Sequence, residues 1–181
     1  MQALLAPLGL NLRLVSEFSD EAAAETAPTF VENALLKARH AAAVSGLPAI
    51  ADDSGIEVDA LQGRPGVYSA RYAGANASDA SNNARLLQEL ADVAPEQRGA
   101  RFVCVMALLR HADDPVPVIA QGLWQGRILD APRGANGFGY DPLFWVPDHR
   151  CSAAELDPDV KNRISHRARA AAALLALLRE A

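Results

Sequence analysis

Two adjacent carboxylates, Asp52 and Asp53, follow a short apolar run and could hold a metal ion. The run over 47–51 lies between Gly46 and the acidic pair, which predicts a buried strand that ends at Ala51. Apolar and polar residues then alternate over 56–61, which predicts a second strand. Two carboxylates side by side at the end of a buried strand repel each other unless a cation or a proton compensates. Mg²⁺ suits this position, because it binds through one or two carboxylates together with substrate phosphates and keeps several waters.

Two more acids, Glu25 and Glu32, flank the start of the first predicted helix and could reach the same metal. Acidic residues in a first helical turn also complement the helix dipole, so their position alone does not assign them to a metal. The acidic pair has a second interpretation as well, in which Asp52 and Asp53 face solvent and cap the turn D-D-S-G. Because neighbouring strand residues point to opposite faces, the two Asp side chains can share one metal only if the strand has already ended.

Basic side chains gather near the C-terminus, at the predicted start of a helix that begins at about residue 163. The exposed N–H groups and the dipole of a helix start already attract anions, so cations placed there oppose the dipole. An anionic ligand such as a phosphate chain explains the arrangement, since Arg offers a bidentate fork and Lys a point charge. A solvated basic face is the alternative interpretation. The cluster comprises Lys161, Arg163, His166 and Arg167.

A glycine-rich loop over 133–141 contains the third group of candidates, Phe138, Gly139, Tyr140 and Asp141. Flexible backbone lets main-chain groups approach a ligand, and an aromatic ring can stack on a base. Asp141 could then accept hydrogen bonds from ring N–H groups. The segment lacks the context of a dinucleotide-binding fingerprint and the Lys-Ser/Thr of a Walker loop, so an ordinary turn between two strands is the alternative.

The elements that must position these residues are a mixture of helices and strands. Capping residues and apolar spacing predict the helices, β-rich runs predict the strands, and the turn H-A-D-D-P indicates an antiparallel hairpin. The helices are expected over 30–44, 78–91 and from about 163, and the strands over 47–51, 56–61, 101–110, 116–128 and 143–146. Residues 1–10 are typical of a helix tail that stops at Gly9. We therefore predict an α/β fold with a mixed sheet, in a single domain over 1–181.

The composition excludes several classes of protein. A net charge of −5 over 181 residues argues against binding a nucleic-acid backbone, which requires an extended basic surface. Cys104 and Cys151 lie far apart and neither belongs to a C-x-x-C pair, so neither a disulfide framework nor a thiolate zinc site is indicated. No export signal and no apolar run long enough for a membrane span is present, and we expect a cytoplasmic protein.

Four segments together resemble the nonstandard purine nucleoside triphosphate pyrophosphatase family, also called the inosine triphosphatase family. They occur in the family's order from Thr29 to the C-terminus, and the joint presence of A-D-D-S-G, F-G-Y-D and I-S-H-R is more specific than any one of them. The segments are TFVENALLKARHAA, LPAIADDSGIEVDALQGRPGVYSARYAG, GFGYDPLFWVP and AELDPDVKNRISHRARA.

The resemblance implies a role for each candidate residue. Asp53 is expected to be the catalytic acid or base and a magnesium ligand, with Glu25 and Asp52 as further metal positions and Glu32 as the rival of Glu25. Substrate contacts are expected from Ser54, Phe138, Gly139, Tyr140, Asp141, Lys161, His166 and Arg167. The family's fold is an elongated mixed sheet flanked by helices, with two lobes around a central cleft, and its members are usually homodimers. Their substrates are ITP, dITP and XTP, which they hydrolyse to monophosphates.

The chain departs from the family pattern at its start. Family members open with a strand and an S/T-G-N-x-x-K loop that holds the triphosphate, and the sequence here begins within what should be the following helix. The domain is therefore expected to lack that strand and loop, and a nucleotide-binding module without catalysis is an alternative function. A phosphatase with an aspartyl nucleophile is a weaker alternative, because D-D-S-G does not have the D-x-D spacing.

Overall fold

The structure is a computed structural model that describes residue 9 and residues 11–180, without the side chain of residue 180. The helix tail expected over 1–10 lies outside the described residues, except for Gly9. The chain divides into two compact units. The first unit comprises Met1–Ser54, Cys104–Gly122 and His166–Ala181, and the second comprises Gly55–Val103 and Leu123–Ser165.

Within the described part of the chain, five strands form one sheet in the order β1-β2-β3-β4-β5. They are β1 (Ala49–Val58), β2 (Gly99–Leu109), β3 (Val118–Ile128), β4 (Phe144–Val146) and β5 (Cys151–Ser152). Strands β3 and β4 pair antiparallel, as do β4 and β5. Because β2 and β3 are sheet neighbours joined by a short turn, the predicted hairpin is confirmed, and so is the α/β class.

The predicted break after residue 51 is wrong. Strand β1 runs without interruption through the acidic pair to Val58, and a 3₁₀ turn, Asp59–Leu61, follows it. Ile56 and Val58 are fully buried and Glu57 between them is half-buried, so the period-2 alternation belongs to a continuation of the same strand. Asp52 and Asp53 therefore lie inside a strand.

Four α-helices occur among the described residues: α1 (Phe30–Ser45), α2 (Asp79–Glu89), α3 (Pro158–Ile164) and α4 (His166–Glu180). The first two confirm the predictions. The side chain of Thr29 accepts a hydrogen bond from the Glu32 N–H at the start of α1, and Gly46 ends the helix at φ 66°. Ser78 accepts from the Ser81 N–H at the start of α2. These caps satisfy backbone groups that a helix end leaves unpaired.

The single C-terminal helix predicted from about 163 is two helices. Ser165 has an extended backbone (φ −66°, ψ 164°) and separates α3 from α4. Lys161 and Arg163 thus lie in the last turn of α3, where cations complement the dipole, whereas His166 and Arg167 open α4. Basic residues therefore oppose a helix dipole only at the start of α4, at His166 and Arg167.

Each unit has its own hydrophobic core. In the second unit Phe102, Trp124 and Phe144 pack as an aromatic group, with ring centroids 4.6–6.2 Å apart. In the first unit Cys104 and Met106 pack against the face of α4 that carries Ala170, Ala171 and Leu174. Both cysteines are free, as expected, and no described helix is long and apolar enough to span a membrane.

Gly122 in β3 determines how closely the start of α4 approaches the sheet. A Cβ atom at this position would lie 2.1 Å from the His166 carbonyl oxygen and 2.4 Å from the Ala170 nitrogen. Both atoms are backbone, so a side chain here could be accommodated only by moving the helix. The absence of a side chain at Gly122 therefore positions the turn of α4 that carries His166 and Arg167.

We expect Gly122→Ala to lower the free energy of unfolding by about 1–3 kcal/mol, because the added methyl group overpacks the contact between β3 and α4. Urea denaturation followed by circular dichroism measures the change. The exposed neighbour Gln121 provides the control, since Gln121→Ala alters the same strand without touching α4. Equal stability of Gly122→Ala and the parent protein would show that the helix shifts freely.

Candidate functional site

Asp53 is buried, with 7% of its surface exposed, and both of its carboxylate oxygens have partners from α1. Lys37 Nζ donates to Asp53 Oδ1 at 2.7 Å, and Asn33 Nδ2 donates to Asp53 Oδ2 at 3.4 Å. A buried carboxylate requires such donors because leaving it unpaired is strongly unfavourable. The two donors therefore stabilise the carboxylate of Asp53 and hold it in a fixed orientation.

Lys37 also joins Asp53 to a second acid, Glu25. Its Nζ lies 3.0 Å from Glu25 Oε1, so one ammonium group bridges two carboxylates. The rival acid Glu32 has a different role, since its carboxylate accepts from Thr29 Oγ1 at 2.5 Å in the cap of α1. The structure thus places Glu25 beside Asp53 and Lys37 and leaves Glu32 in the helix cap.

The sequence of α1 explains why these donors meet Asp53. Asn33 and Lys37 are four residues apart and therefore lie on one face of the helix. Asn33 is fully buried and fixed at the other end by the preceding segment, where its side chain accepts from the Ala27 N–H and donates to the Ala27 carbonyl. The bonds to Ala27 hold the segment that joins Glu25 to α1 against the side of this helix.

The charges of this cluster shift each other's ionisation. Burial raises the pKa of Asp53, the bonds from Lys37 oppose this, and the negative charge of Glu25 raises the pKa again. For Lys37, burial favours the neutral form, but the hydrogen bonds and charges of Asp53 and Glu25 outweigh burial and raise the pKa. Lys37 therefore stays charged, while Asp53 accepts a proton more readily than an ordinary Asp does.

Asp52 lies in different surroundings from Asp53, as expected for neighbours in a continuous strand. Its Oδ2 accepts from Ser54 Oγ at 2.9 Å and from Arg167 Nε at 3.1 Å. The Cys104 thiol lies 3.8 Å from the same oxygen, and burial raises the pKa of that thiol to about 12. Asp52 thus connects two predicted substrate-binding residues, and its service as a metal ligand stays a prediction.

Arg167 reaches Asp52 from the first turn of α4, next to the buried His166. The guanidinium contacts the carboxylate through Nε, and about a third of the side chain is exposed. A guanidinium group carries a permanent positive charge and is a common partner of anionic groups. The first unit therefore contains two groups of predicted site residues: Glu25 with Asp53, and Asp52 with Ser54 and Arg167.

In the second unit, the loop over 133–141 is held in shape by its own acid. Asp141 is buried and its Oδ2 accepts from the Phe138 N–H at 2.8 Å and from Lys161 of α3. Gly137 allows this arrangement: its φ is 77°, and a Cβ there would lie 2.1 Å from Asp141 Oδ2. Asp141 thus organises the loop, and its predicted direct contact with a base stays a prediction.

The two aromatic residues of the loop point into different environments. Tyr140 is buried, and its hydroxyl donates to the Ser69 carbonyl at 2.8 Å, so it anchors the loop to the core. Phe138 is 63% exposed, and Lys161 Nζ lies 5.1 Å from the centre of its ring. Of the two rings, Phe138 is the one that a ligand can reach. The second unit brings together Phe138, Gly139, Tyr140, Asp141 and Lys161.

Lys37 and Asn33 were missed by the sequence predictions, although the chain offers a signal for both. They occupy positions i and i+4 of an amphipathic helix that otherwise buries small alanines on that face, Ala34, Ala38 and Ala42. A lysine and an asparagine next to such a buried stripe require partners. Asp53, one of the acidic pair of β1, is a partner of both side chains.

The donor set of the first unit fits a divalent ion. Among the described residues no group of three or more His, Cys, Asp or Glu side chains is arranged as a complete metal cage. Glu25 and Asp53 nevertheless already share one cation, the Lys37 ammonium, and two carboxylates with waters and substrate phosphates satisfy Mg²⁺. The fit therefore favours an ion that binds together with its substrate.

Comparison with known proteins gives consistent matches over almost the entire chain. The model of the Ham1 family matches residues 1–177. A protein named dITP/XTP pyrophosphatase from Pseudomonas syringae pv. tomato is 62% identical over 94% of this chain and 87% of its own length. One of the same name from Vibrio cholerae is 55% identical over 99% of this chain and 90% of its own length.

Solved structures agree with these matches. A HAM1 protein from Coxiella burnetii superposes with a TM-score of 0.93 at 51% identity, covering 99% of this chain and 91% of its own. The Staphylococcus aureus Ham1 protein superposes with a TM-score of 0.89 at 41% identity. On the family match, the identities and the shared fold, the chain belongs to the Ham1 family.

Proposed function

We propose that this protein hydrolyses nonstandard purine nucleoside triphosphates, of the class of ITP, dITP and XTP, to the monophosphate and pyrophosphate. The observation that carries the proposal is the buried Asp53, held by Lys37 and Asn33 beside Glu25. The names of relatives up to 62% identical, dITP/XTP pyrophosphatase, supply the substrate class. The matches cover 87–91% of the relatives' length, which supports turnover over binding alone.

Asp53 is suited to the role of general base. A water attacks the α-phosphorus, Asp53 accepts the water's proton, and the bond from the α-phosphorus to the bridging oxygen breaks, so that pyrophosphate leaves. Lys37 and Asn33 hold the carboxylate of Asp53 in a fixed orientation for this proton transfer. Lys37 and Arg167 provide positive charge for the phosphates, and Asp52 holds Arg167 in position.

Magnesium is the proposed cofactor, held by Glu25 and Asp53. When bound, Mg²⁺ supplies charge neutralisation for the phosphates and lowers the pKa of bound water. The Lys37 ammonium lies at the point that these two carboxylates share. Glu25 and Asp53 therefore have an arrangement that already accommodates a positive charge. Asp52, which faces Ser54 and Arg167, contributes through them in this proposal.

The loop of the second unit is proposed to recognise the purine. Phe138 offers an exposed ring for stacking, and Lys161 offers a donor for a 6-oxo group. A 6-amino purine presents a donor at the same place and leaves such a donor unpaired, which disfavours adenine. Tyr140 and Asp141 hold the conformation of the loop through their hydrogen bonds to Ser69 and Phe138. In line with the family resemblance, we also propose a homodimer that works in the cytoplasm.

The test of the function is pyrophosphate release in the presence of Mg²⁺ from ITP, dITP and XTP, compared with GTP and ATP. We expect the nonstandard nucleotides to be hydrolysed with the highest kcat/KM. Isothermal calorimetry with ITP and IMP accompanies the assay. Nucleotide binding without pyrophosphate release would establish the alternative, a binding module without catalysis.

Asp53→Asn is expected to lower kcat for ITP by about 10²–10⁴-fold, because it removes a general base while keeping the volume of the side chain. Steady-state kinetics on the purified variant measures the loss. The matched control is Asp92→Asn, which neutralises an exposed carboxylate just after α2. A kcat for Asp53→Asn within threefold of the parent value would remove Asp53 from the mechanism.

Removal of divalent ions with a chelator is expected to abolish turnover, and added Mg²⁺ to restore it. Glu25→Gln should then raise the Mg²⁺ concentration for half-maximal activity, about tenfold or more, since a carboxylate ligand is lost. Glu32→Gln is the matched comparison, because Glu32 only caps α1. If Glu32→Gln shifted the Mg²⁺ requirement and Glu25→Gln did not, the assignment of the metal ligands would be reversed.

Phe138→Ala is expected to raise KM for ITP about tenfold with little change in kcat, because stacking on an exposed ring contributes about 1–3 kcal/mol per base. Initial-rate measurements over a range of ITP concentrations separate the two parameters. Val116→Ala truncates another exposed apolar side chain, in the turn between β2 and β3, and should change neither. A lowered kcat at constant KM would contradict a stacking role for Phe138.

A further inference from the structure

Helix α2 forms hydrogen bonds with both polar backbone groups of Gly139, in the glycine-rich loop. Asp79 Oδ2 accepts from the Gly139 N–H at 2.6 Å, and Asn83 Nδ2 donates to the Gly139 carbonyl at 2.9 Å. Asp79 and Asn83 are four residues apart in α2, so their side chains lie on one face of the helix. Two side chains of one helix therefore hold a single residue of the loop.

These two hydrogen bonds act on a position where a side chain would find open space. Gly139 has φ 60°, and a Cβ built on it would meet no heavy atom within 4 Å. A glycine in open space can adopt many backbone conformations at little energetic difference. The hydrogen bonds with α2 therefore hold the left-handed backbone of Gly139, together with the turn in which the Asp141 N–H donates to the Phe138 carbonyl at 3.2 Å.

The backbone at Gly139 determines where the neighbouring rings point. On one side Tyr140 is buried and anchored to Ser69, and on the other Phe138 is largely exposed. Rotation about the Gly139 backbone would change the orientation of Phe138 relative to the anchored Tyr140. Fixing Gly139 therefore fixes the direction of the exposed ring.

Asn83 is a residue whose presence the packing of α2 does not explain. It is 9% exposed, and its Oδ1 has no hydrogen-bond partner among the described residues. A buried acceptor without a partner lowers stability, whereas an apolar side chain of similar size at this site, next to the buried Leu86, would not. The amide is therefore accounted for by its bond to Gly139, which an apolar side chain cannot make.

We infer that Asp79 and Asn83 are positioning residues that set the conformation of the loop at Gly139 and thereby the enzyme's affinity for the purine base and its discrimination between bases. The inference rests on the proposed function, since it assigns these residues to the loop that binds the base. Neither side chain needs to touch the nucleotide. Their effect reaches the base through the orientation of Phe138.

The first measurement is a kinetic comparison of Asp79→Ala, Asn83→Leu and the parent protein with ITP, XTP and ATP. Each variant removes one hydrogen bond to Gly139, so we expect KM for ITP to rise about three- to tenfold while kcat stays within twofold. The ratio of kcat/KM for ITP to that for ATP should fall. Asn83→Leu should also keep or raise the melting temperature, because it removes the unpaired acceptor.

Two further variants distinguish positioning from a general structural effect. Asp79→Asn keeps an acceptor for the Gly139 N–H and should retain most of the parent affinity, whereas Asp79→Ala should not. Asp92→Ala removes an exposed carboxylate beyond the end of α2 and should leave KM unchanged. Unchanged KM and base discrimination in both Asp79→Ala and Asn83→Leu would overturn the inference, and so would a loss confined to kcat.

The second measurement reads the loop without any catalysis. Hydrogen exchange of the Gly139 amide, followed by nuclear magnetic resonance, should be slow in the parent protein and at least tenfold faster in Asp79→Ala. If the parent protein released no pyrophosphate from any nucleotide, the proposed function would fail. The exchange measurement would still show whether Asp79 holds the Gly139 amide. A Gly139 amide that exchanges equally fast in the two proteins overturns the inference.

Discussion

The ammonium group of Lys37 lies between the carboxylates of Glu25 and Asp53, and the chemistry of the first unit depends on this contact. Two acids held this close would repel each other without a cation, and a buried acid without a partner is strongly unfavourable. The helix α1 therefore has two functions: it packs through its small alanines, and it supplies the positive charge that lets Asp53 remain buried. A bound divalent ion would add to the same balance of charge.

Charge is used differently in the second unit, where it shapes a loop. Lys161 and the buried Asp141 form an ion pair, and the same carboxylate accepts the Phe138 N–H of the glycine-rich loop. The pair therefore fixes backbone geometry close to an exposed ring. In the first unit a lysine thus pairs with a buried acid next to a second carboxylate, and in the second unit a lysine pairs with a buried acid that holds a loop.

Much of this arrangement could be predicted from local sequence. Helix α1 begins at the cap of Thr29 and ends at Gly46 as expected, and the hairpin of β2 and β3 follows from its turn composition. The interruption placed before Asp52 was wrong, because an acidic pair is as typical of a turn as of a strand that has partners for its charges. The partners, Lys37 and Arg167, are distant from the acidic pair in sequence, and no pattern within the strand itself indicates them. Similarly, Ser165 separates two helices where composition alone suggested one.

Because β1 is uninterrupted, the alignment of the strand decides which surroundings Asp52 and Asp53 each have. Asp52 and Asp53 are chemically identical, so a shift of the strand by one residue would still offer a carboxylate to each side. The acids themselves therefore cannot specify the alignment of the strand. That task falls to Ile56 and Val58, which are both fully buried and would be turned outward by such a shift. Two aliphatic side chains several residues away thus decide which aspartate contacts Lys37 and which one contacts Arg167.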